Sequence, residues 1–127
     1  MRYVVLVHSH PKPWGHPTID LTPEGRARPA AERAESAAAF DAFLADLSAR
    51  GELVAAEALA DPATSTVLRW SDRGVLATEG PYAEADEHLA GFFLVDVATR
   101  ARAEEVARGF AGPGDAVELR PAYDWDA

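Results

Sequence analysis

Residues 2–8 read RYVVLVH, a run of apolar and β-branched residues with the length of one strand. Such a run suits a strand that is buried on both faces of its sheet. Residues 89–97 read LAGFFLVDV and form a second run that is rich in strand-favouring residues. We therefore expect residues 2–8 to form the central strand of the fold and residues 89–97 to pair near it.

Two helices are predicted between the strands. Residues 30–50 carry apolar side chains at spacings of three and four, as one face of a helix requires: Phe40, Phe43, Leu44 and Leu47. Pro29 is suited to the first turn of this helix and Gly51 to its C-terminal stop. Residues 99–110, TRARAEEVARGF, predict a shorter helix with Thr99 as its N-cap.

The remaining segments complete an α+β order of elements. Residues 52–59 alternate as a strand does, residues 66–78 predict a hairpin around a polar turn, and residues 116–120 predict the last strand. The resulting order, β, α, β, hairpin, β, α, β, predicts a ferredoxin-like split βαβ domain with an inserted β-hairpin. Two helices cover only one face of such a sheet. The open face therefore predicts a homodimer packed sheet to sheet.

Composition limits the classes of function. The 127 residues fit one domain, and we assign residues 1–127 to it. A net charge of -9 repels phosphate backbones and anionic lipids, so we expect no nucleic acid and no membrane as partners. The absence of Cys excludes disulfides, thiolate nucleophiles and Cys-bound zinc. The first apolar run is too short for a signal peptide or a membrane span, which predicts a cytoplasmic protein.

Residues 9–29 are rich in proline and lack a sustained hydrophobic period. We expect a long loop here. Loops of this length inside a compact domain are often lids or binding segments, and disorder is the alternative. Trp14 in this segment is a candidate lid residue, because an aromatic ring can exclude water from a small ligand.

Three histidines stand where strands begin or end, namely His8, His10 and His88. Each could exchange protons near neutral pH, because the ordinary pKa of histidine is about 6.5; a structural or exposed imidazole is the alternative. Glu84 would pair with His88 if their segment made a helical turn, and a solvated loop is the alternative. These histidines and Glu57 could together bind a metal ion, but the H-x-H spacing is weak evidence for such a site. We therefore predict neither a metal nor a cofactor.

Glu57 is the most informative carboxylate. Strand alternation places it on the same face as Leu53 and Leu59, so it must find a partner or have a raised pKa. A raised pKa would suit proton transfer, and a buried ion pair with Arg120 or Arg69 is the alternative. In either case we expect Glu57 to be inaccessible or to lie at the bottom of a pocket.

Three segments together resemble the YCII-related (DGPF) family: GELVAAEAL at 51–59, EGPYAEADEHLAGFFLVDV at 79–97 and VELRPAYD at 117–124. The D-G-P-F signature of that family stands here as Glu79, Gly80, Pro81 and Tyr82. Together with the first strand, the resemblance covers nearly the whole chain apart from the Pro-rich segment. It implies a dimeric α/β barrel with one pocket on each protomer. It also implies a suspected enzymatic activity, which in some members involves a His and Asp pair.

We expect a pocket between the first strand, the second strand and the Gly80–Pro81 segment. The catalytic candidates are His8, His10, Glu57 and His88. The candidate substrate-binding residues are Trp14, Gly80, Pro81, Tyr82 and Arg120. Two functions remain open: a cofactor-independent acid–base enzyme of the lyase, isomerase or dehydrochlorinase-like type, acting on a small organic substrate, or a noncatalytic module that binds a small ligand or regulates a partner.

Overall fold

A four-stranded antiparallel sheet forms the body of the computed structural model, which describes residues 1–83 and 85–127. The helices and strands in chain order are β1 (Arg2–Ser9), α1 (Pro23–Arg26), α2 (Ala30–Ala49), β2 (Leu53–Ala58), β3 (Thr66–Ser71), β4 (Gly74–Glu79), β5 (His88–Asp96), α3 (Arg100–Arg108) and β6 (Ala116–Pro121). Strands β2, β5, β1 and β6 lie side by side in that order. The α+β class is as predicted, and the sheet of the single chain is open, not closed into a barrel.

Strand β1 lies inside the sheet between β5 and β6, which confirms its predicted central position. Its burial alternates along the strand: Tyr3 and Val5 are buried, whereas Val4 and Leu6 are half-buried. In the single chain, the expectation that β1 is buried on both faces is therefore met on one face only. The physical reason is that the hydrophobic core, which includes side chains of both α2 and α3, packs against only one face of the sheet.

Four phenylalanines fill the space between the sheet and the two long helices. Phe110, only 5% exposed, stacks on Phe93 of β5 with 4.0 Å between the ring centroids. Phe40 and Phe43 of α2 contact Phe110 edge to face, at 5.8 and 5.1 Å between centroids. These are favourable aromatic geometries. The apolar face predicted for α2 is thus the face that packs on the core.

The helix ends follow the predicted signals. The Thr99 hydroxyl accepts a hydrogen bond of 3.1 Å from the Arg102 N–H and caps α3. Gly51 follows α2 with φ of 70°, a conformation that favours glycine after a helix. Of the helices in the described part of the chain, none is long and apolar enough to cross a membrane.

An ion pair fastens α3 to the start of β2. Arg102 donates through Nη2 and Nε to the two carboxylate oxygens of Glu52, at 2.7 and 3.0 Å. Both side chains are mostly buried, and the hydrogen bonds from Arg102 lower the pKa of Glu52. This two-pronged geometry is the strong form of a carboxylate contact.

A register shift in β2 changes the face that Glu57 occupies. Leu53 pairs with the buried Val95, but one extra residue is inserted before Ala55. Glu57 therefore pairs with Phe92, on the side of the sheet opposite the helices. The side chain of Glu57 is exposed, so its predicted burial is wrong. Simple alternation fails here because a bulge reverses the faces of all the residues that follow it.

The Pro-rich segment is not a loop without regular structure. It contains a 3₁₀ turn at Thr18–Asp20 and the short helix α1. The buried Thr22 caps α1 by accepting from the Gly25 N–H at 3.1 Å, and its hydroxyl donates to the Pro113 carbonyl at 3.2 Å. Helical pieces this short cannot produce a hydrophobic period, which explains why the sequence predicted only a loop.

Strands β3 and β4 form the predicted hairpin. They pair with each other from Thr66 with Glu79 to Ser71 with Gly74, and they form a two-stranded sheet separate from the main one. The Gly80 N–H donates to the Ser65 carbonyl at 2.9 Å and closes the base of the hairpin.

Candidate functional site

The end of β1 and the start of β6 lie side by side because the two strands are antiparallel. His8 pairs with Ala116, the first residue of β6. Ser9 and His10 follow His8, and Asp115 directly precedes Ala116. The sheet topology thus brings Ser9, His10 and Asp115, which are far apart in sequence, to one edge of the fold.

Asp115 is a half-buried carboxyl in this cluster. The Thr18 hydroxyl donates to it, with distances of 3.1 and 3.2 Å to the two carboxylate oxygens. Burial raises the pKa of Asp115 above its ordinary value, and Glu87 contributes in the same direction. The nearby Ser9 hydroxyl, the hydrogen bond from Thr18 and the charge of His10 oppose this rise only in part. Asp115 therefore holds its proton to a higher pH than an exposed aspartate does.

The turn at 112–115 positions Asp115. Gly114 has φ of 84°, and a Cβ at this position would lie 2.5 Å from the Thr22 hydroxyl oxygen. Only glycine accepts both the left-handed backbone and this close approach. The Asp115 N–H donates to the Gly112 carbonyl at 3.0 Å and completes the turn. The packing of Gly114 on Thr22 therefore sets where Asp115 meets Thr18.

His10 contacts a second carboxylate through its Nε2 atom. This nitrogen lies 3.0 and 3.2 Å from the two carboxylate oxygens of Glu24 in α1. The pKa of Glu24 is lowered, first by the hydrogen bond from its own backbone N–H and then by His10. In the neutral tautomer whose Nε2–H donates to Glu24, the Nδ1 atom carries a lone pair and can accept a proton.

Two polar atoms of the cluster, one in Ser9 and one in His10, have no hydrogen-bond partner among the described residues. Within residues 1–83 and 85–127, neither His10 Nδ1 nor the Ser9 hydroxyl oxygen has a partner at regular hydrogen-bond geometry, and both atoms are buried. The Ser9 hydroxyl nevertheless lies close enough to Asp115 to lower the pKa of that carboxyl. Buried polar groups without a partner are costly, and a catalytic role or a bound molecule is one explanation for them.

Two open grooves lie beside His10. The first has a volume of ≈ 380 Å³ and is lined by His10, Lys12, Asp86 and Glu87. The second has a volume of ≈ 330 Å³ and is lined by Pro11, Lys12, Pro13, Trp14, Asp61, Pro62, Ala63, Pro81 and His88. Lys12 borders both grooves, so the two lie next to each other. The indole Nε1–H of Trp14 donates to the Leu59 carbonyl at 2.9 Å and holds the ring as part of the second wall.

The grooves contain four of the residues that the sequence singled out. His10 lines the first groove, and Trp14, Pro81 and His88 line the second. The second groove runs between segments that follow β1, β2 and β4. This is close to the place where a pocket was expected, although Glu57 and Tyr82 do not line it.

Five other candidate residues do not line the grooves, namely His8, Glu57, Gly80, Tyr82 and Arg120. His8 is on the side of the sheet opposite the helices, where its Nε2 lies 3.6 Å from a carboxylate oxygen of Glu118. The Tyr82 ring is exposed beneath the guanidinium of Arg69, at 5.0 Å from the ring centroid. Gly80 closes the hairpin. Two imidazoles at positions 8 and 10 therefore do not combine in one site.

The ion pair proposed for Glu57 is not found among the described residues. Arg120 pairs with Val4 across β6 and β1, and neither Arg120 nor Arg69 forms an ion pair with Glu57 among the described residues. The alternative pair of Glu84 with His88 lies outside the described residues.

The metal alternative is not supported by the positions of its ligands. Among residues 1–83 and 85–127, no three histidine or acidic side chains come together as a metal ion requires. The set of His8, His10, His88 and Glu57 is divided between the grooves and the opposite face of the sheet.

Sequence reasoning missed the carboxyl groups of the site. Asp115 had one available signal, a G-P-G turn directly before the last strand, whose antiparallel pairing with β1 would have placed it beside His10. Glu24 and Thr18 had no such signal, because they lie in short helical turns without a period.

The sequence model of the YCII-related domain matches residues 1–126, essentially the whole chain. No curated protein matches the chain.

Proposed function

Because the chain belongs to the YCII-related family, we propose on that premise that it is a cofactor-independent acid–base enzyme acting on a small organic substrate beside His10. The observation that carries this proposal is a half-buried carboxyl, Asp115, whose pKa is raised beside a histidine that borders an open groove. Perturbed titratable groups at a cavity are typical of catalytic sites.

His10 is the proposed catalytic residue. It borders the groove, and its Nε2 contact with Glu24 favours the tautomer whose Nδ1 can accept a proton. Asp115 acts through His10 as a positioning residue. The charges of Asp115 and His10 are coupled, so a proton gained by His10 makes the ionised form of Asp115 more favourable.

The proposal predicts that His10→Gln strongly slows catalysed proton transfer. Wild-type protein is incubated in D₂O with a panel of small 1,3-dicarbonyl and α-keto compounds, and exchange of C–H for C–D is followed by proton NMR. General acid–base catalysis typically contributes about 10²–10⁴-fold, so His10→Gln should lower catalysed exchange by at least about 10²-fold.

His8→Gln is the matched control, because His8 also lies beside a carboxylate but outside the grooves. Its exchange rate should equal that of the wild type. If His8→Gln lost catalysed exchange and His10→Gln kept it, the catalytic residue would be His8. Absence of catalysed exchange in the wild type would reject the enzyme proposal for this class of substrate.

A noncatalytic ligand-binding module is the second candidate function. The wall of the second groove favours it, because Pro11, Pro13, Pro62 and Trp14 present rigid apolar surface with few polar groups. A binding module should take up small molecules equally well at pH 5 and pH 8, and His10→Gln should leave that affinity unchanged.

We further propose a homodimer built on the open face of the sheet. Residues that share this face by strand pairing are apolar and half-buried: Val4, Leu6, Phe92 and Leu94. The strand order β2, β5, β1, β6 supports a ferredoxin-like split βαβ domain with two helices on one side. Two such sheets packed face to face would form the dimeric α/β barrel that the family resemblance implies.

Light scattering tests the dimer. The wild type at micromolar concentration should have twice the 13.6 kDa mass of the chain. Leu94→Arg places a charge in the middle of the apolar stripe and should shift the mass to that of a single chain without loss of the folded state. A wild type of single-chain mass with normal stability would contradict the proposed assembly.

A further inference from the structure

The β3–β4 hairpin exposes one apolar face. Strand pairing places Leu68, Trp70, Val75 and Ala77 on the same side of the hairpin. Trp70 is 78% exposed, Leu68 66% and Val75 63%. Among the described residues, no hairpin side chain belongs to the hydrophobic core. This is a contiguous apolar surface of the kind that marks a site of interaction.

The hairpin needs a partner for physical reasons. A two-stranded hairpin without packing is at best marginally stable in water. Its own chain supplies a closed base at Ser65 and Gly80 and a contact of Arg69 with Tyr82, but neither contact covers the face that holds Trp70. A surface that covers that face would stabilise the hairpin.

The segment after β6 exposes a matching pair of rings. Tyr123 is 77% exposed and Trp125 87%, and their rings stack edge to face with 4.7 Å between centroids. Two aspartates, Asp124 and Asp126, are interleaved with them. We call residues 123–126 the aromatic tail. The apolar side chains of the hairpin and of the aromatic tail are both exposed, so a contact between the two segments would bury both sets.

Charge favours the same pairing. The chain carries a net charge of -9, yet residues 66–79 hold two arginines against two acidic residues and are neutral. The hairpin is therefore a segment that an acidic tail can approach without repulsion. Arg73 in its turn has no ion pair among the described residues, and neither have Asp124 and Asp126.

We infer that the hairpin is a docking arm for a second copy of this chain, and that its Trp70 face receives the aromatic tail of that copy. In a two-fold dimer the contact is made twice, so both hairpins and both tails are covered by one symmetric arrangement. The aromatic rings supply most of the buried area, and an aspartate of the tail pairs with Arg73. This inference rests on the homodimer proposed above.

Disulfide trapping tests the contact, because the chain has no Cys and every disulfide then comes from the introduced residues. Isotopically labelled Ala77→Cys protein is mixed with unlabelled Ala127→Cys protein and oxidised, and the products are weighed by mass spectrometry. Ala77 shares the face of Trp70, and Ala127 follows the tail. We expect a mixed disulfide between one labelled and one unlabelled chain.

Ala38→Cys, exposed on α2, replaces Ala77→Cys as the matched control and should give no mixed disulfide above background. A disulfide within one chain of the double variant Ala77→Cys/Ala127→Cys would overturn the inference in favour of an internal contact. Light scattering on the same samples separates the two proposals. A dimeric mass without the mixed disulfide rejects the docking arm alone, whereas a single-chain mass rejects the dimer and the arm with it.

Charge exchange gives an independent measurement. Arg73→Asp and Asp124→Arg should each raise the dimer dissociation constant about tenfold, because each places like charges together at both symmetric contacts. The double variant Arg73→Asp/Asp124→Arg should restore most of the affinity. If each single variant had the dimer dissociation constant of the wild type, or if the double variant dimerised no better than the single ones, the proposed pairing would be wrong.

Discussion

Replacing Asp115 with asparagine should lower acid–base turnover beside His10 on the order of 10²-fold while raising the melting temperature at neutral pH. Asparagine keeps the shape of the side chain and can still accept the hydrogen bond from Thr18. It removes a charge whose burial is unfavourable, and it removes the carboxylate whose charge is coupled to that of His10. Activity and stability should thus change in opposite directions.

The pH dependence of this effect has a definite sign. Burial raises the pKa of Asp115 in the folded protein above its unfolded value, so the folded state binds the proton more tightly. The stabilisation that comes from this proton is fully present below the unfolded pKa, about 3.9, and is lost as pH rises through the folded pKa. The melting temperature of Asp115→Asn should therefore exceed that of the wild type at neutral pH, and the difference should disappear in acid.

Thermal unfolding of both proteins between pH 4 and pH 8 measures the difference. Glu24 and Glu52 have lowered pKa values and destabilise both proteins alike in acid, so they cancel in the comparison. Asp41→Asn, an exposed aspartate of α2, is the matched control and should change neither activity nor the pH profile. A lower melting temperature for Asp115→Asn at pH 7, with unchanged turnover, would make Asp115 a structural residue only.

Phe110→Ala should lower the free energy of unfolding by about 3–5 kcal/mol. Phe110 is almost completely buried, and its ring contacts three others, Phe93, Phe40 and Phe43. Truncation removes apolar area from the core and leaves a cavity between the sheet and α2, which the rigid rings around it cannot fill.

Urea unfolding at a fixed protein concentration measures this cost, because an associating protein has a stability that depends on its concentration. Phe110→Leu keeps most of the side-chain volume and should cost less than half as much as the alanine variant. A cost below about 1 kcal/mol for Phe110→Ala would show that the aromatic cluster is not the main support of the fold.

The candidate site was predicted only in part. His10, Trp14, Pro81 and His88 were singled out from the sequence and lie at the grooves, because they stand at strand ends and turns, where side chains border cavities. Asp115 was missed since its closeness to His10 depends on the pairing of β1 with β6, which joins residues a hundred positions apart. A pattern within a few neighbouring residues cannot predict a contact between such distant positions.

The sequence by itself determined α2, α3, the strands and the α+β class, because hydrophobic periods and turn residues act within a few positions of each other. It also determined the capping of α3 by Thr99, a local hydrogen bond. Only the tertiary structure decided the face of Glu57, because the extra residue in β2 reverses the alternation that precedes it. It likewise decided that Asp115 lies with Thr18 and His10, since strand register and the packing of Gly114 on Thr22 act between distant parts of the chain.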